Sequence, residues 1–138
     1  MNNYQLECAL KHVAPGVRVY AADQIPRDYS RGFIVNTHGS HLPGEHWVAF
    51  WKNNGNIEFF DSFGQKPTYY GFQTAKLYND VVLQSIDSNT CGLYALFYVM
   101  CKYRGYTLEQ IQNMFCTNTR LNDYFMYIFA SEMFSQCM

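Results

Sequence analysis

From Gly92 to Cys101 the chain reads Gly-Leu-Tyr-Ala-Leu-Phe-Tyr-Val-Met-Cys, without a single charge. A helix that is apolar all round has to be covered on every side. The run is too short to cross a bilayer, which takes about 20 helical residues. It therefore predicts a buried helix over 91–103, closed by Arg104-Gly105, with the rest of the chain packed around it. Cys91 opens that helix, behind a polar loop in which Ser88 and Asn89 offer N-cap oxygens. A thiol at a helix N-terminus sits in the positive end of the macrodipole, which favours thiolate, the attacking form. Gly92 removes a side chain where a substrate backbone would need to approach. Gln84, upstream, could offer an amide N–H to a developing oxyanion beside the N–H of Cys91. On this segment alone a structural cysteine starting a core helix is the better reading, because most free cysteines are structural.

The remaining composition narrows the options. Hydrophobic residues make up 49% of 138 residues and aromatics 18%, which suits one folded domain over 1–138 and rules out disorder. The net charge of −1 and a pI of about 6.4 give no basic surface for nucleic acid or an anionic membrane. The N-terminus lacks the basic-then-apolar pattern of an export signal. Five scattered cysteines, at 8, 91, 101, 116 and 137, form no Cys-x-x-Cys pair. They read as reduced thiols in an intracellular setting, and no disulfide framework is expected. His38, His41 and His46 are close in sequence but have no cysteine pair beside them, so neither a metal site nor another cofactor is expected.

Local patterns give the order of elements. Leu6, Ala9, Leu10 and Val13 have helical spacing over 4–13, and Pro15-Gly16 ends that helix. Residues 17–21, 32–36, 46–51, 57–61 and 80–84 read as strands, with Asn53-Asn-Gly-Asn56 as a hairpin turn. Residues 67–76 fit a short helix or an ordered loop. Thr107 caps a helix carrying Leu108, Ile111, Met114 and Phe115 on one face. A last helix starts at Asn122 or Asp123 and runs through Phe125, Ile128, Phe129 and Met133. A helix, then strands, then three helices predicts an α+β fold with a mixed, largely antiparallel sheet.

The hairpin brings a second group into play. With Asn53-Asn54 as the loop, His46 lies directly across from Asp61; with Asn54-Gly55 it lies diagonally. Both registers put the two side chains on one face, together with Val48, Phe50, Ile57 and Phe59. A carboxylate there can orient one imidazole nitrogen and leave the other to take a proton from a thiol. Taken alone, Asp61 before Ser62-Phe-Gly64 also fits a plain turn residue. Together, His46, Asp61, Gln84 and Cys91 fill the separate roles of a cysteine hydrolase.

At these residues the chain resembles a known family. His46-Trp47, Phe60-Asp-Ser-Phe-Gly64 and Gln84…Cys91-Gly92, in that order, look like the adenovirus-type cysteine endopeptidases (the adenain family). Val35-Asn-Thr…His41-Leu-Pro-Gly-Glu-His46-Trp47 resembles the adenovirus-like proteases of polinton/maverick elements and related viruses. The resemblance spans about Gly16 to the last helix. It implies a circularly permuted papain-like fold and a thiol endopeptidase that cuts viral or virus-like structural precursors near glycine. It assigns Cys91 as nucleophile, His46 as general base and then acid, Asp61 as its orienting group, and Gln84 with the Cys91 N–H as the oxyanion hole. Trp47 would flank the cleft and restrict it to small residues; a core aromatic fits Trp47 equally well. The localisation implied is host cytoplasm, nucleus or virion.

The departures are specific. The chain is shorter than the adenovirus enzyme. No cysteine lies between Cys8 and Cys91 to anchor a disulfide-linked activating peptide, and the charge gives a DNA activator little to hold. Asp61 stands where adenoviruses have Glu; its shorter arm favours the directly opposed register. Two other readings compete: a protease of ubiquitin-like tails, whose Gly-rich ends suit the same narrow cleft, and a retired domain that only binds.

Overall fold

The computed structural model describes residues 1–29, 31–39 and 46–137. The uncharged run forms helix α2 (Cys91–Tyr103), buried from Cys91 to Lys102. Around it the predicted order holds: α1 (Asn3–Val13), β1 (Arg18–Tyr20), β2 (Gly32–Asn36), β3 (Trp47–Asn53), β4 (Asn56–Phe60), β5 (Leu77–Tyr78), then α3 (Leu108–Gln112) and α4 (Thr119–Phe134) after α2. The strands form one sheet in the order β1-β2-β3-β4-β5. The three central strands are antiparallel, and the two short edge strands are parallel to their neighbours, giving a mixed α+β architecture. No helix of the described residues is long and apolar enough to cross a membrane.

The sheet divides the interior in two. One face, with Ile34, Trp47, Ala49, Trp51 and Phe60, packs against α2 and α1. The other carries Phe33, Val35, Val48, Phe50 and Phe59 and is covered by loops that bring Tyr29, Tyr70 and Phe72. Into the first layer the chain buries a polar group. Glu58 pairs with Lys102 at 3.2 Å and accepts a 2.7 Å hydrogen bond from Tyr98, so each charge has a partner out of water.

The hairpin loop is Asn54-Gly55. Both residues have positive φ, 51° and 82°, as a two-residue turn that follows the strand twist requires. The resulting register pairs Asn53 with Asn56 and Ala49 with Phe60. His46 and Asp61 are therefore diagonal neighbours, not opposed as the shorter Asp arm suggested. Asn-Gly wins the turn because glycine takes the second left-handed position without strain.

Four further expectations are corrected. Residues 80–84 are not a strand. The edge strand is Leu77–Tyr78, after which the Leu83 and Gln84 N–H groups both bond the Ser62 carbonyl, and Val81 and Val82 remain exposed. Helix α4 is capped by Asn118, which accepts from the Leu121 N–H. It buries Asn122, Asp123, Met126, Ala130 and Phe134, so Phe125, Ile128 and Met133 face outward. Apolar residues line both sides of α4, while buried Asn122 and Asp123 are held by hydrogen bonds to loops and to Tyr94 of α2. Helix α3 stops at Gln112, leaving Met114 exposed. Finally, Cys8 and Cys137 are joined in a disulfide, with Cα atoms 5.8 Å apart. Folding lays the C-terminal turn against α1, and a sequence separation of 129 hid that proximity.

Candidate active site

The four residues singled out from the sequence come from four places: His46 immediately before β3, Asp61 just after β4, Gln84 in the following loop, and Cys91 at the first turn of α2. Strand pairing sets the first two side by side at one end of the sheet, and α2, packed on that sheet, brings its N-terminus to the same end. The structure does bring His46, Asp61 and Cys91 together. His46 Nε2 lies 2.6 Å from Asp61 Oδ1, and the imidazole and the Cys91 thiol border one cleft, close enough for each to shift the other's pKa. With Nε2 engaged, Nδ1 is the nitrogen left for sulfur. The ring is stacked on Phe63, centroids 4.9 Å apart, and tilted against Tyr70 at 5.5 Å, so it has little freedom to turn away.

Asp61 is wholly buried and its acceptors are filled. Oδ1 also takes the Phe63 N–H at 3.0 Å, and Oδ2 takes the Gln65 N–H at 3.1 Å and the Tyr70 hydroxyl at 2.6 Å. Asn79 clamps the backbone behind it: its Oδ1 accepts the Asp61 N–H at 2.9 Å, and its Nδ2 donates to the Asp61 carbonyl at 2.5 Å. Four donors around one carboxylate hold it in a single orientation, and a buried carboxylate without them would be costly.

Burial alone would lower the His46 pKa. The Asp61 and Cys91 hydrogen bonds and the negative charges of both groups outweigh it, raising the value to about 9. For Cys91 burial acts upward, while the His46 hydrogen bond and charge and the backbone N–H groups of Trp47 and Gly92 carry it below the ordinary thiol value. The two shifts are coupled, and each favours the charged form of its group. Cys101, buried deeper in α2 without such partners, moves the other way, to about 11, under burial, with Arg104 opposing.

The predicted cap on α2 is absent. Thr90 is the N-cap residue and makes no side-chain capping bond; its hydroxyl donates to Asp123 Oδ1 at 3.1 Å. Asn89 Oδ1 accepts from Tyr127, and Ser88 turns towards Gln84. A capping oxygen would compete for the Gly92 N–H that here faces the sulfur. The 85–90 loop is instead fastened from α4, where Asp123 also accepts from the Ser85 N–H and from the Tyr94 hydroxyl at 2.7 Å.

Gln84 is buried beside the cleft. Ser62 donates to its Oε1 at 2.5 Å, which fixes the amide and sends Nε2 to Ser88, 3.1 Å from the carbonyl and 3.0 Å from Oγ. Its donor is thus oriented but occupied by the chain's own groups. The cleft above Cys91 has a volume of about 460 Å³ and is bounded by Met1, His46, Trp47, Phe63, Gln84, Ile86, Ser88 and Asn89. A second cavity of about the same volume, between Tyr29, Phe50, Lys52 and Phe72, has no thiol or imidazole among its described lining residues. Trp47 serves both readings, since it packs in the core layer and borders the cleft. Gly92 differs from expectation: a Cβ there would meet the Trp47 Cδ1 at 3.2 Å and α1 beyond it. Its missing side chain admits Trp47, not a substrate backbone.

Sequence reasoning missed Tyr70, Asn79, Ser62 and Asp123. Ser62 sits beside Asp61, and Asn79 sits where a strand was expected to begin, but nothing local marks either as a clamp. His41, of the three clustered histidines, and the His41–Glu45 part of the family-like string lie outside the described residues.

No protein-family model matches the chain. It is 27% identical over 122 residues to the cysteine protease of African swine fever virus, covering 75% of this chain and 43% of the viral protein. In another isolate the corresponding protein, named a SUMO-1 cysteine protease, is 26% identical over the same length. A mimivirus protein provisionally named a thiol protease is 29% identical over 86 residues, half of this chain and 28% of its own length. The crystal structure of the African swine fever virus protease superposes with a TM-score of 0.63 at 19% identity, over 96% of this chain and 66% of that one. The chain thus spans less than half the length of the curated relatives it matches. In sequence it is similar to viral cysteine proteases, and its fold is that of one of them.

Proposed function

We propose that the chain is a cysteine endopeptidase that cleaves an extended peptide beside small residues, glycine above all. The observation that carries this is the continuous line Asp61–His46–Cys91, with a 2.6 Å carboxylate–imidazole bond and a thiolate-favouring environment, opening into a cleft. The Cys91 sulfur attacks the scissile carbonyl and forms a C–S bond, and the carbonyl electrons move onto oxygen. The Cys91 N–H and Gln84 Nε2 then donate to that oxyanion, Gln84 exchanging a bond to Ser88 for it. As the tetrahedral carbon collapses, its bond to nitrogen breaks and imidazolium His46 gives its proton to the leaving amine. The neutral imidazole then takes a proton from water, which hydrolyses the thioester and regenerates thiol and acid.

Trp47, Phe63, Met1 and Ile86 make the walls apolar and close, which suits side chains of minimal size. The order His46, Asp61, Gln84, Cys91 supports a circular permutation of the papain arrangement. The viral relatives support precursor processing inside an infected cell or virion as the setting. One relative's name, SUMO-1 cysteine protease, favours a second reading: cleavage after the Gly-rich tail of a ubiquitin-like protein.

The purified chain and its Cys91→Ala variant should be offered a glycine-centred peptide library, and separately ubiquitin-like activity probes. Cleavage by the first and not by the variant supports the proposal. Probe labelling without library cleavage moves it to the second reading. No Cys91-dependent reaction with either would end both.

A further inference from the structure

Far from the catalytic groups in function, a second set of soft ligands converges where the two ends of the chain meet. Cys8 and His12 stand four residues apart on α1, so their side chains share one helical face. Cys137 comes to that face from the turn Ser135–Cys137. The two sulfurs and a ring nitrogen of His12 lie within 4.8 Å of one another. The side chain next to Cys137 orients the imidazole: Gln136 Nε2, an amide that can only donate, lies 3.3 Å from His12 Nε2. That contact ties the imidazole to the C-terminal turn, and on metal binding it gives way so that a ring nitrogen is free to ligate.

The geometry points to a zinc site that replaces the Cys8–Cys137 disulfide when the cysteines are reduced. Two thiolates and an imidazole are a donor set that zinc takes readily, with Zn–S near 2.3 Å and Zn–N near 2.0–2.1 Å. A tetrahedral ion of that size holds its ligand atoms roughly 3.5–3.8 Å apart. On reduction the sulfurs have to part and the ring nitrogen to close slightly, both small movements for side chains on a helix and a terminal turn. A water completes the fourth position. The chemistry balances: a dithiol reductant gives two electrons and two protons to the disulfide and leaves as its own disulfide. Zn²⁺ then displaces the two thiol protons. The chain ends stay tied in both redox states. That matters for the cleft, because α1 carries Leu6, and the chain just before it Met1, against the Gly92–Trp47 contact. This inference does not depend on the proposed protease activity.

The test uses the full Cys91→Ala chain, which removes the other thiol–imidazole pair. Reduced, freed of reductant and kept anaerobic, it is titrated with Co²⁺ and then Zn²⁺. One equivalent of cobalt should bind with a thiolate-to-metal charge-transfer band that zinc abolishes. Native mass spectrometry should show one zinc gained and two protons lost. The oxidised chain should bind none. Cys8→Ser should lose the band, and Cys116→Ser should keep it. His12 is exposed, so His12→Ala leaves the core alone. It should weaken binding at least about tenfold, since even the hydrogen-bond partners of metal ligands are worth roughly 10–100-fold. A reduced chain without the band, a band that survives Cys8→Ser, unchanged affinity in His12→Ala, or equal binding by the oxidised chain would each overturn the site.

Discussion

Asp61 reaches the His46 ring at 2.6 Å from a diagonal position, one pleat away from the residue directly across the hairpin. It can do so because it does not continue the strand. It opens the tight turn to Gly64, whose N–H bonds the Asp61 carbonyl at 2.8 Å, and Asn79 clamps its backbone from behind. A carboxylate swung out of the pleat in this way depends on its anchors more than one held by register alone.

Asp61→Asn should therefore be costly twice over. An amide brings two donors to a place already filled by two N–H groups, a hydroxyl and an imidazole. We expect a loss of about 10²–10⁴ in kcat, through loss of imidazole orientation, and a measurable drop in melting temperature. Tyr70→Phe removes one anchor and leaves the Gln65 N–H on the same oxygen. It should reduce kcat about tenfold, the equivalent of one hydrogen bond of roughly 1–1.5 kcal/mol, with KM little changed. A Tyr70→Phe enzyme with full kcat would remove Tyr70 from the support of the site.

The paired shifts of Cys91 and His46 make a pH prediction. With His46 raised to about 9 and Cys91 lowered, both shifts favour the ion pair over the neutral pair. Turnover should rise on the acid side as the Cys91 thiolate forms and fall as pH passes about 9, where His46 loses the proton it must donate. Iodoacetamide should label Cys91 near neutral pH well before Cys101, whose pKa burial raises to about 11. In His46→Ala the labelling of Cys91 should shift to more alkaline pH. The raised His46 value also stabilises the fold, fully below its unfolded value of about 6.5 and less as pH climbs through about 9. A labelling rate for Cys91 that tracks an ordinary thiol would contradict the pair.

Gln84 and Ser62 separate donor from positioning group. Gln84→Ala should lose roughly 10²–10³ in kcat, as removal of an oxyanion donor does elsewhere. Ser62→Ala keeps the amide but frees its Oε1, so the loss should be smaller, about tenfold. Steady-state kinetics on one peptide substrate decides the order. Should Ser62→Ala cost as much as Gln84→Ala, the two act as one structural unit and the oxyanion assignment weakens.

These residues also show where sequence reading stopped. The buried helix, the hairpin and the shared face of His46 and Asp61 were legible, because apolar runs, Asn-Gly and a period of two are local signals. The turn type was not decided by composition, since Asn53-Asn-Gly-Asn56 offers two loops, and the Asp arm argued for the wrong one. Residues 80–84 looked like a strand, yet their N–H groups found the Ser62 carbonyl in place of a neighbouring strand. Tyr70, Asn79 and Asp123 became clamps only through contacts across 9, 18 and 29 residues or more, which no local pattern encodes. The same is true of Cys8 and Cys137.

Glu58 and Lys102 test the core independently of the chemistry. Both are buried, and Tyr98 completes their network. Lys102→Met would leave the carboxylate with the Tyr98 hydroxyl as its remaining partner from this group, and should destabilise the fold by about 3–5 kcal/mol. Urea melts should show it. The double variant Glu58→Leu with Lys102→Met removes both charges and should recover much of that loss. Failure to recover would mean that the volume, not the charge, is what this corner of the core requires.

Gly92 provides the sharpest separation between packing and chemistry. A Cβ at 92 would stand 3.2 Å from Trp47 Cδ1 and 3.5 Å from the Met1 Cβ, so the indole must yield by a few tenths of an ångström. The residue is helical and its N–H, not its side chain, faces the sulfur, so Gly92→Ala keeps that donor. Overpacking of this kind costs about 1–3 kcal/mol. Because Trp47 borders the cleft, the displacement should appear as a raised KM for glycine-containing peptides. The alkylation pH profile of Cys91 should stay where it was. An unchanged KM would free Trp47 of any part in substrate selection and return it to the core alone.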